Sequence, residues 1–174
     1  MSLPVSGAES HLITAASCAE IDKWVAKYPP ERKQSAVMAA LRIVQEQNGG
    51  WLSDGLIAAV ADYLGMPAVA VYEVATFYSM YQLEPVGRHK ISVCTNISCL
   101  LRGSETVVAH LERRLGIKLG ETTADGKITL KEVECLGACV NAPMLQVGKR
   151  YLEKLTPETL DALLDDLQGD QVNG

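Results

Sequence analysis

Four of the five cysteines stand in two closely spaced pairs and offer the most specific chemistry in the chain. Four residues separate Cys94 from Cys99, and three separate Cys135 from Cys139. Thiolates are soft, charged ligands that iron–sulfur clusters, zinc and copper accept. A 2Fe-2S cluster contains two irons and is held by four cysteines, so two separated pairs match its requirement of one pair per iron. The four cysteines are therefore candidate ligands of a metal centre.

Cysteines also occur in zinc sites, catalytic dithiols and disulfides. The spacings also fall within the range of structural zinc sites, and spacing alone favours neither metal. A thioredoxin-type dithiol would need Cys-x-x-Cys, which is absent, and structural disulfides are the weakest alternative. The scattered histidines His11, His89 and His110 are predicted to be ordinary surface or core residues. Cys18, far upstream, is predicted to be a half-buried helix residue.

Composition narrows the class of protein. The chain has 174 residues, 48% of them hydrophobic, and a net charge of −5. This content predicts a folded core, and the acidic balance argues against a nucleic-acid surface, which would need a basic stripe. No apolar run approaches the roughly 20 residues that span a bilayer. Residues 1–20 contain no Lys or Arg, so we expect a soluble intracellular protein without a signal or transit peptide, or a mature form lacking its leader.

The elements that must position the cysteines differ between the two halves of the chain. In the first half, Ser17 is predicted to cap a helix over 18–27, and further helices are predicted to begin near Glu31, at Ser53 and at Pro67. Apolar residues recur along them at helical spacing, which indicates one buried face on each. Three or four helices with short links predict a small helical bundle.

The second half alternates strands and helices. A strand is predicted over 89–94 and a helix from about Gly103. The apolar alternation changes phase between Leu130 and Val133, which predicts a bulge or bend before the second cysteine pair. A hairpin is predicted around Gly148-Lys149, followed by a last helix that Thr156 caps. The predicted order is β-α-β-β-α, for which a thioredoxin-like fold is a natural candidate.

Each cysteine pair is predicted to lie in a loop that follows a strand. Loop N–H groups can point at sulfur and offset its negative charge. In the second loop, Gly137 and Ala138 are small enough for the backbone to approach a cluster closely. In the first, a helix beginning after Cys99 would direct its positive end at the metal centre. Pro143 would stiffen the exit from the second loop.

Several longer stretches resemble a known family. They are Ala36–Gln45, Gly50-Trp51-Leu52, Val74–Tyr78, Pro85–His89, Cys94-x4-Cys99 and Glu134–Pro143. Together they cover nearly the whole chain and are similar to the small 2Fe-2S subunit of respiratory NADH:quinone oxidoreductase (complex I), the E chain of the bacterial enzyme. The nearest similar proteins are homologous subunits of NAD-linked hydrogenases and formate dehydrogenases. Val140-Asn141-Ala142 departs from the commonest form of the motif and leaves the four cysteines intact.

The resemblance implies an α+β fold, with an N-terminal helical bundle over 15–85 followed by a thioredoxin-like 2Fe-2S ferredoxin domain over 86–170. It implies one 2Fe-2S cluster and no catalytic residue on this chain. The ligands that it implies are Cys94, Cys99, Cys135 and Cys139.

The resemblance also implies a partner, the large subunit that binds FMN and oxidises NADH and whose flavin exchanges single electrons with the cluster. The chain has no Gly-x-Gly-x-x-Gly motif, and we expect no NADH or quinone site on it. Neither nucleic-acid binding nor membrane insertion is expected, and the complex would lie on the cytoplasmic, inner face of the plasma membrane. The alternatives are a diaphorase subunit of an NAD-linked hydrogenase or formate dehydrogenase, a zinc-stapled structural module, and a stand-alone thiol oxidoreductase.

Two smaller hypotheses concern residues near the middle of the chain. Phe77, Tyr78 and Tyr81 are predicted either to pack in a core between the halves or to contact the partner, because aromatic residues are enriched at interfaces. Arg88 and His89 precede the strand that leads to the first cysteine pair, and their charge is hypothesised to soften the negative charge of the cluster.

Overall fold

The computed structural model describes residues 12–169, which form two compact units that divide between Pro85 and Val86. The first unit is helical and the second combines a four-stranded sheet with helices, so the α+β expectation is confirmed. Within the described part of the chain, no helix has both the length and the apolar character needed to cross a bilayer.

From Ala15 onwards, the first unit contains four α-helices and one 3-10 helix. The α-helices are α1 (Ala15–Val25), α2 (Val37–Gln47), α3 (Asp54–Leu64) and α4 (Ala68–Phe77), and the 3-10 helix spans Pro30–Ala36. Their buried faces form one apolar core, to which the predicted faces of α2 and α3 contribute as expected. The predicted helical bundle is therefore present, with most of its apolar residues turned inward.

Helix starts in this unit depend on local hydrogen bonds. Ser53 caps α3 as predicted, with its Oγ accepting from the backbone N–H of Leu56 at 3.2 Å. The predicted cap at Ser17 is wrong, because α1 starts earlier and Thr14 Oγ1 accepts from the N–H of Ser17 at 3.2 Å. Thr14 satisfies an N–H of the first turn and thereby places Ser17 inside the helix. The second predicted helix begins as the 3-10 segment, in which Arg32 departs from helical geometry.

The aromatic residues at and just after the end of α4 have different environments. Tyr81 is 4% exposed and packs in the core of the first unit, where its hydroxyl donates to the carbonyl of Met38 at 2.8 Å. Burial raises the pKa of Tyr81 to about 12. Phe77, by contrast, is 79% exposed, and its ring meets that of Tyr78 edge to face. The hypothesis of core packing therefore holds for Tyr81, within the first unit, and fails for Phe77.

The second unit is built on one mixed sheet. Its strands are β1 (His89–Cys94), β2 (Ile128–Val133), β3 (Leu145–Val147) and β4 (Arg150–Leu152), and its α-helices are α5 (Ile97–Leu101), α6 (Ser104–Leu115) and α7 (Pro157–Gly169). The sheet order is β2-β1-β3-β4; β1 is parallel to β2, and the other neighbouring pairs are antiparallel. The predicted order counts the hairpin once; with its two strands written out, all four observed strands were predicted, whereas the short helix α5 was not.

The pairing of β1 with β2 is continuous. Six residue pairs run from His89 opposite Ile128 to Cys94 opposite Val133 without interruption. The pairing therefore has no bulge, and the predicted break is instead a bend at Glu134, directly before the second cysteine pair. The apolar alternation is lost because Ile128 and the two residues after it are all buried, and a strand covered on both faces does not alternate.

The end of the second unit follows the prediction closely. The β3–β4 hairpin turns at Gly148, whose φ is +56°, as a Gly-X turn requires. Thr156 Oγ1 accepts from the N–H of Thr159 at 3.3 Å, which confirms the predicted cap of α7. The predicted apolar stripe of α7 is buried against the sheet and α6, and consists of Leu160, Leu163, Leu164 and Leu167.

An ion-pair network connects α6 and α7. Asp161 contacts His110 Nε2 at 2.7 Å and the guanidinium of Arg114. The hydrogen bond with His110, followed by the Arg114 charge, holds the pKa of Asp161 below its usual value. A depressed carboxyl pKa contributes stability above the unfolded-state pKa of about 3.9 and loses it as the pH falls through the folded-state value.

We therefore expect Asp161→Asn to make the second unit modestly less stable at pH 7, with a difference that narrows towards pH 3. The measurement is urea unfolding at both pH values, followed by hydrogen exchange of α6 and α7 amides. Asp166→Asn, at an exposed position on the same helix, is the matched control. Equal effects of the two substitutions at pH 7 would contradict a specific role for the network.

Candidate metal centre

The parallel pairing of β1 with β2 brings the two cysteine pairs to one edge of the sheet. Cys94 is the last residue of β1 and lies opposite Val133, the last residue of β2. The backbone ladder continues beyond the strands, because the N–H of Thr95 donates to the carbonyl of Val133 at 3.1 Å. Parallel strands end at the same edge, so Cys135, two residues after β2, begins its loop beside the first pair.

The first pair is buried, with Cys94 2% and Cys99 1% exposed. Cys99 lies within α5, so the prediction of a loop position followed by a helix is wrong for this residue. The helix starts before Cys99 because Asn96 Oδ1 accepts from the backbone N–H of Ile97 at 2.8 Å. An Asn before a short apolar run is the sequence signal that would have located this cap.

The second pair is exposed, and its sulfurs lie 3.7 Å apart. The backbone N–H of Gly137 donates to Cys135 Sγ at 3.4 Å, which is the kind of contact predicted for this loop. Gly137 has a φ of +82°, a conformation that strongly favours glycine. Cys139 begins a short 3-10 turn that ends at Asn141.

Hydrogen bonds and charge connect the two pairs. Cys94 Sγ donates to the carbonyl of Glu134 at 2.9 Å, in the loop that carries the second pair. Burial, followed by interaction with Cys94, raises the pKa of Cys99 to about 11, and Cys139 contributes in the same direction. The pKa of Cys139 is also raised, chiefly by its hydrogen bond with Cys135 and to a smaller extent by Cys94.

The raised thiol pKa values have a chemical consequence. At neutral pH, Cys99 and Cys139 would remain protonated by themselves, since forming a thiolate near other sulfur atoms is unfavourable. A bound cation compensates this charge and displaces the protons, which is how metals bind to cysteine sites. Binding of a metal to these cysteines would therefore release their protons.

Apolar groups surround the buried pair. Ala142 and Met144 pack with Cys94 and Cys99, and Leu136 lies against the same cluster. Met144, which no sequence motif indicated, lies just before β3 and reaches the pair through the β1–β3 pairing. Such an apolar shell limits water access and tunes the redox potential of a metal centre.

The separation of the second pair agrees with two thiolates bound to one tetrahedral metal. In a tetrahedral thiolate site with metal–sulfur bonds of about 2.3 Å, two sulfurs on one metal are about 3.8 Å apart, and the Cys135–Cys139 separation is 3.7 Å. Two pairs of cysteines suit a group in which each of two irons takes one pair.

The other residues considered as candidates lie elsewhere. Cys18 is half-buried in α1, as predicted, and its Sγ donates to the carbonyl of Ile13 at 3.9 Å. His110 belongs to the α6–α7 network, and His11 lies outside the described residues. His89 begins β1 and therefore lies at the opposite end of the strand from the first cysteine pair.

Comparison with known proteins adds an independent result. The model of the thioredoxin-like [2Fe-2S] ferredoxin family matches residues 21–168. The chain belongs to this family. The resemblance that was inferred from the sequence motifs is confirmed, and the fold of the second unit is thioredoxin-like.

Individual relatives of this ferredoxin-family chain agree with the assignment. The E subunit of the NADH-quinone oxidoreductase of Rickettsia conorii is 50% identical over 149 residues, which cover 86% of this chain and 89% of that protein. An E subunit of the NADH-quinone oxidoreductase of Rhizobium meliloti is 48% identical over 149 residues, which cover 86% of this chain and 87% of that protein. By name, both are subunits of an oxidoreductase complex.

A solved structure shows the same fold. The crystal structure of an NAD+-reducing [NiFe]-hydrogenase in its air-oxidised state contains a chain that aligns with a TM-score of 0.66 and 24% identity. The alignment covers 76% of this ferredoxin-family chain and 23% of the hydrogenase chain. The likeness therefore concerns the fold of a part of that larger chain.

Proposed function

We propose that this protein is the electron-transfer subunit of an NADH:quinone oxidoreductase and carries one 2Fe-2S cluster on Cys94, Cys99, Cys135 and Cys139. The observation that carries the proposal is the meeting of two thiol pairs at one edge of the parallel β1–β2 pair, in a chain of the [2Fe-2S] ferredoxin family. The oxidoreductase relatives at about 50% identity support the identity of the complex.

In this proposal, each cysteine pair binds one of the two irons. The buried Cys94 and Cys99 would hold one iron within an apolar shell, and the exposed Cys135 and Cys139 would hold the other near the surface. The N–H of Gly137 stabilises negative charge on Cys135. When bound, a 2Fe-2S cluster supplies one-electron redox chemistry, while the protein controls its geometry, hydrogen bonds and exposure.

We propose that the electron partner is the subunit that binds FMN and oxidises NADH, and that the cluster exchanges single electrons with this FMN. Support comes from the exposure of the second pair and of the apolar residues that flank the cysteines, among them Ile97, Leu101 and Val140, which is 92% exposed. Exposed apolar groups of this kind are typical of protein contact surfaces.

Two further assignments belong to this proposal. The helical region 15–85 and the ferredoxin region 86–170 would fold as separate domains. The chain would be cytoplasmic and would reach the inner face of the plasma membrane only through the complex. The diaphorase subunit of an NAD-linked hydrogenase or formate dehydrogenase is the alternative assembly, and co-purification of the native partner distinguishes it from a quinone oxidoreductase.

The test is an iron and acid-labile sulfide assay of anaerobically purified protein, with EPR after dithionite reduction. About two irons and two sulfides per chain are expected, together with a red-brown colour. Colourless protein containing zinc would instead support a structural zinc module, and metal-free turnover of disulfide substrates would support a thiol oxidoreductase. Reduction by NADH only when the FMN subunit is present would establish the partner.

We also expect Arg88→Ala to leave the midpoint potential unchanged. At about 3.3 Å per residue, Arg88 lies roughly 20 Å along β1 from Cys94, well beyond the screening length of about 8–10 Å in ordinary buffers. Val140→Lys, which places a cation beside Cys139, is the positive control and should raise the potential. Redox titration by EPR measures both, and a clear shift in Arg88→Ala would revive the hypothesised influence of this charge.

A further inference from the structure

The link between β1 and α5, which separates the cysteines of the first pair, is joined to the loop of the second pair by a side-chain bond that does not involve sulfur. Asn96 lies between Cys94 and Cys99 in sequence, and Glu134 immediately precedes Cys135. Asn96 Nδ2 donates to Glu134 Oε2 at 2.9 Å, and the backbone N–H of Asn96 donates to the carbonyl of Glu134 at 3.3 Å. Side chain and main chain therefore connect the same two residues across the loops.

The side-chain amide of Asn96 has a second partner at its other end. Its Oδ1 accepts from the N–H of Ile97 at 2.8 Å and starts α5. An N–H needs an acceptor and a carboxylate needs a donor, so only one orientation of the amide satisfies both contacts. Cys99 is the third residue of α5. The position of Asn96 therefore determines where the helix that carries Cys99 begins.

Glu134 is connected to the first pair by its main chain as well. Its carbonyl accepts from the Cys94 thiol at 2.9 Å, a bond that the thiolate form does not make, while its side chain receives the Asn96 amide whatever the protonation state of Cys94. A neighbouring bond, from Thr95 Oγ1 to Glu132 Oε1 at 2.6 Å, joins the same two segments of chain. The described contacts thus hold the loop of the first pair against the loop of the second.

We propose that Asn96 and Glu134 form a clamp that sets the separation between the two cysteine pairs. This inference rests on the proposed function, since it assigns positioning residues to the same centre. Neither residue supplies sulfur, and each acts through the cysteines beside it. Hydrogen bonds that orient ligands change metal affinity by about 10–100-fold when they are lost, so the clamp controls how firmly a cluster is retained.

Two substitutions can exchange the donor and the acceptor of the hydrogen bond between Asn96 and Glu134. Asn96→Asp keeps the oxygen that caps α5, but it replaces the donor facing Glu134 with a second carboxylate oxygen. In the double variant Asn96→Asp with Glu134→Gln, the new amide donates to the new carboxylate, and the bond is restored in the opposite direction. The double variant also has the net charge of the wild type, so it separates the bond from electrostatic effects.

A second comparison does not depend on the folding of Asn96→Asp. Glu134→Ala removes the acceptor of the clamp and leaves the backbone contacts in place. Glu153→Ala removes an equal charge and a similar bond, because Glu153 Oε2 accepts from Asn141 Nδ2 at 2.7 Å. That bond joins the second loop to the segment after β4 and does not connect the cysteine pairs, which makes Glu153→Ala the matched control.

The measurements are the rate of iron loss to a chelator and the EPR spectrum after dithionite, on full-length protein shown to be folded by circular dichroism. Asn96→Asp and Glu134→Ala are expected to lose iron about tenfold faster than wild type, with altered EPR line shapes. The double variant and Glu153→Ala should remain close to wild type in both properties. The clamp would be overturned if the double variant lost iron as fast as Asn96→Asp. It would also be overturned if Glu134→Ala and Glu153→Ala lost iron at equal rates. Absence of iron from the wild type would instead overturn the proposed function.

Discussion

Protein with serine in place of Cys135 is expected to retain only a small fraction of the wild-type iron and sulfide. A serine hydroxyl is a harder and less acidic ligand than a cysteine thiol, and the irons of such clusters are held chiefly by soft thiolates. Cys139 lies 3.7 Å away and would be left as the remaining sulfur of its pair. Cys135 is exposed, and the substitution removes no buried packing, so the fold should persist while the cluster is lost.

Cys18→Ser is the matched control for this experiment. Cys18 is the fifth cysteine, and its thiol donates to the carbonyl of Ile13, a role that a hydroxyl can also fill. The control protein should contain the full amount of iron and sulfide and show the wild-type EPR spectrum. Iron and sulfide assays on anaerobically purified samples, normalised to protein, measure the difference. Full retention of the native signal in Cys135→Ser would remove this residue from the ligand set.

A second large effect is expected from Gly87→Ala, which should destabilise the second unit by about 2–3 kcal/mol. A β-carbon on Gly87 would lie 2.9 Å from the backbone of Lys127 and Ile128. Backbone at the start of β2 cannot move aside without disturbing its pairing with β1. The N–H of Gly87 also donates to the buried Thr129 Oγ1 at 2.6 Å, and displacement of the chain would weaken this bond.

Gly169→Ala adds the same methyl group at a position where nothing lies within 4 Å. We therefore expect its stability to remain within about 0.5 kcal/mol of wild type. Urea unfolding followed by hydrogen exchange of the β1 and β2 amides compares the two proteins. Because Gly87 is near the opposite end of β1 from Cys94, folded Gly87→Ala protein should still bind iron. Equal stability of the two variants would show that the backbone accommodates the methyl group.

Local signals in the sequence predicted the chemistry of the centre and many of its supporting elements. Thiol type and spacing indicated a metal centre at the two cysteine pairs. The apolar periodicity of α2, α3 and α7 and the caps at Ser53 and Thr156 were predicted correctly, since they depend on residues only a few positions apart. The family motifs supplied the distinction between iron–sulfur and zinc that spacing left open.

Contacts between residues distant in sequence determined how the two cysteine pairs come together. The meeting of the two pairs depends on the parallel register of β1 and β2, and the bond from Cys94 to Glu134 joins residues 40 positions apart. Such pairing leaves little trace in local periodicity, especially where a strand is buried on both faces, and the sequence therefore predicted a bulge or bend before the second cysteine pair without distinguishing the two. The bond between Asn96 and Glu134 has the same origin. Sequence therefore determined which atoms could bind a metal, and tertiary structure determined that they lie together, because long-range backbone pairing places them there.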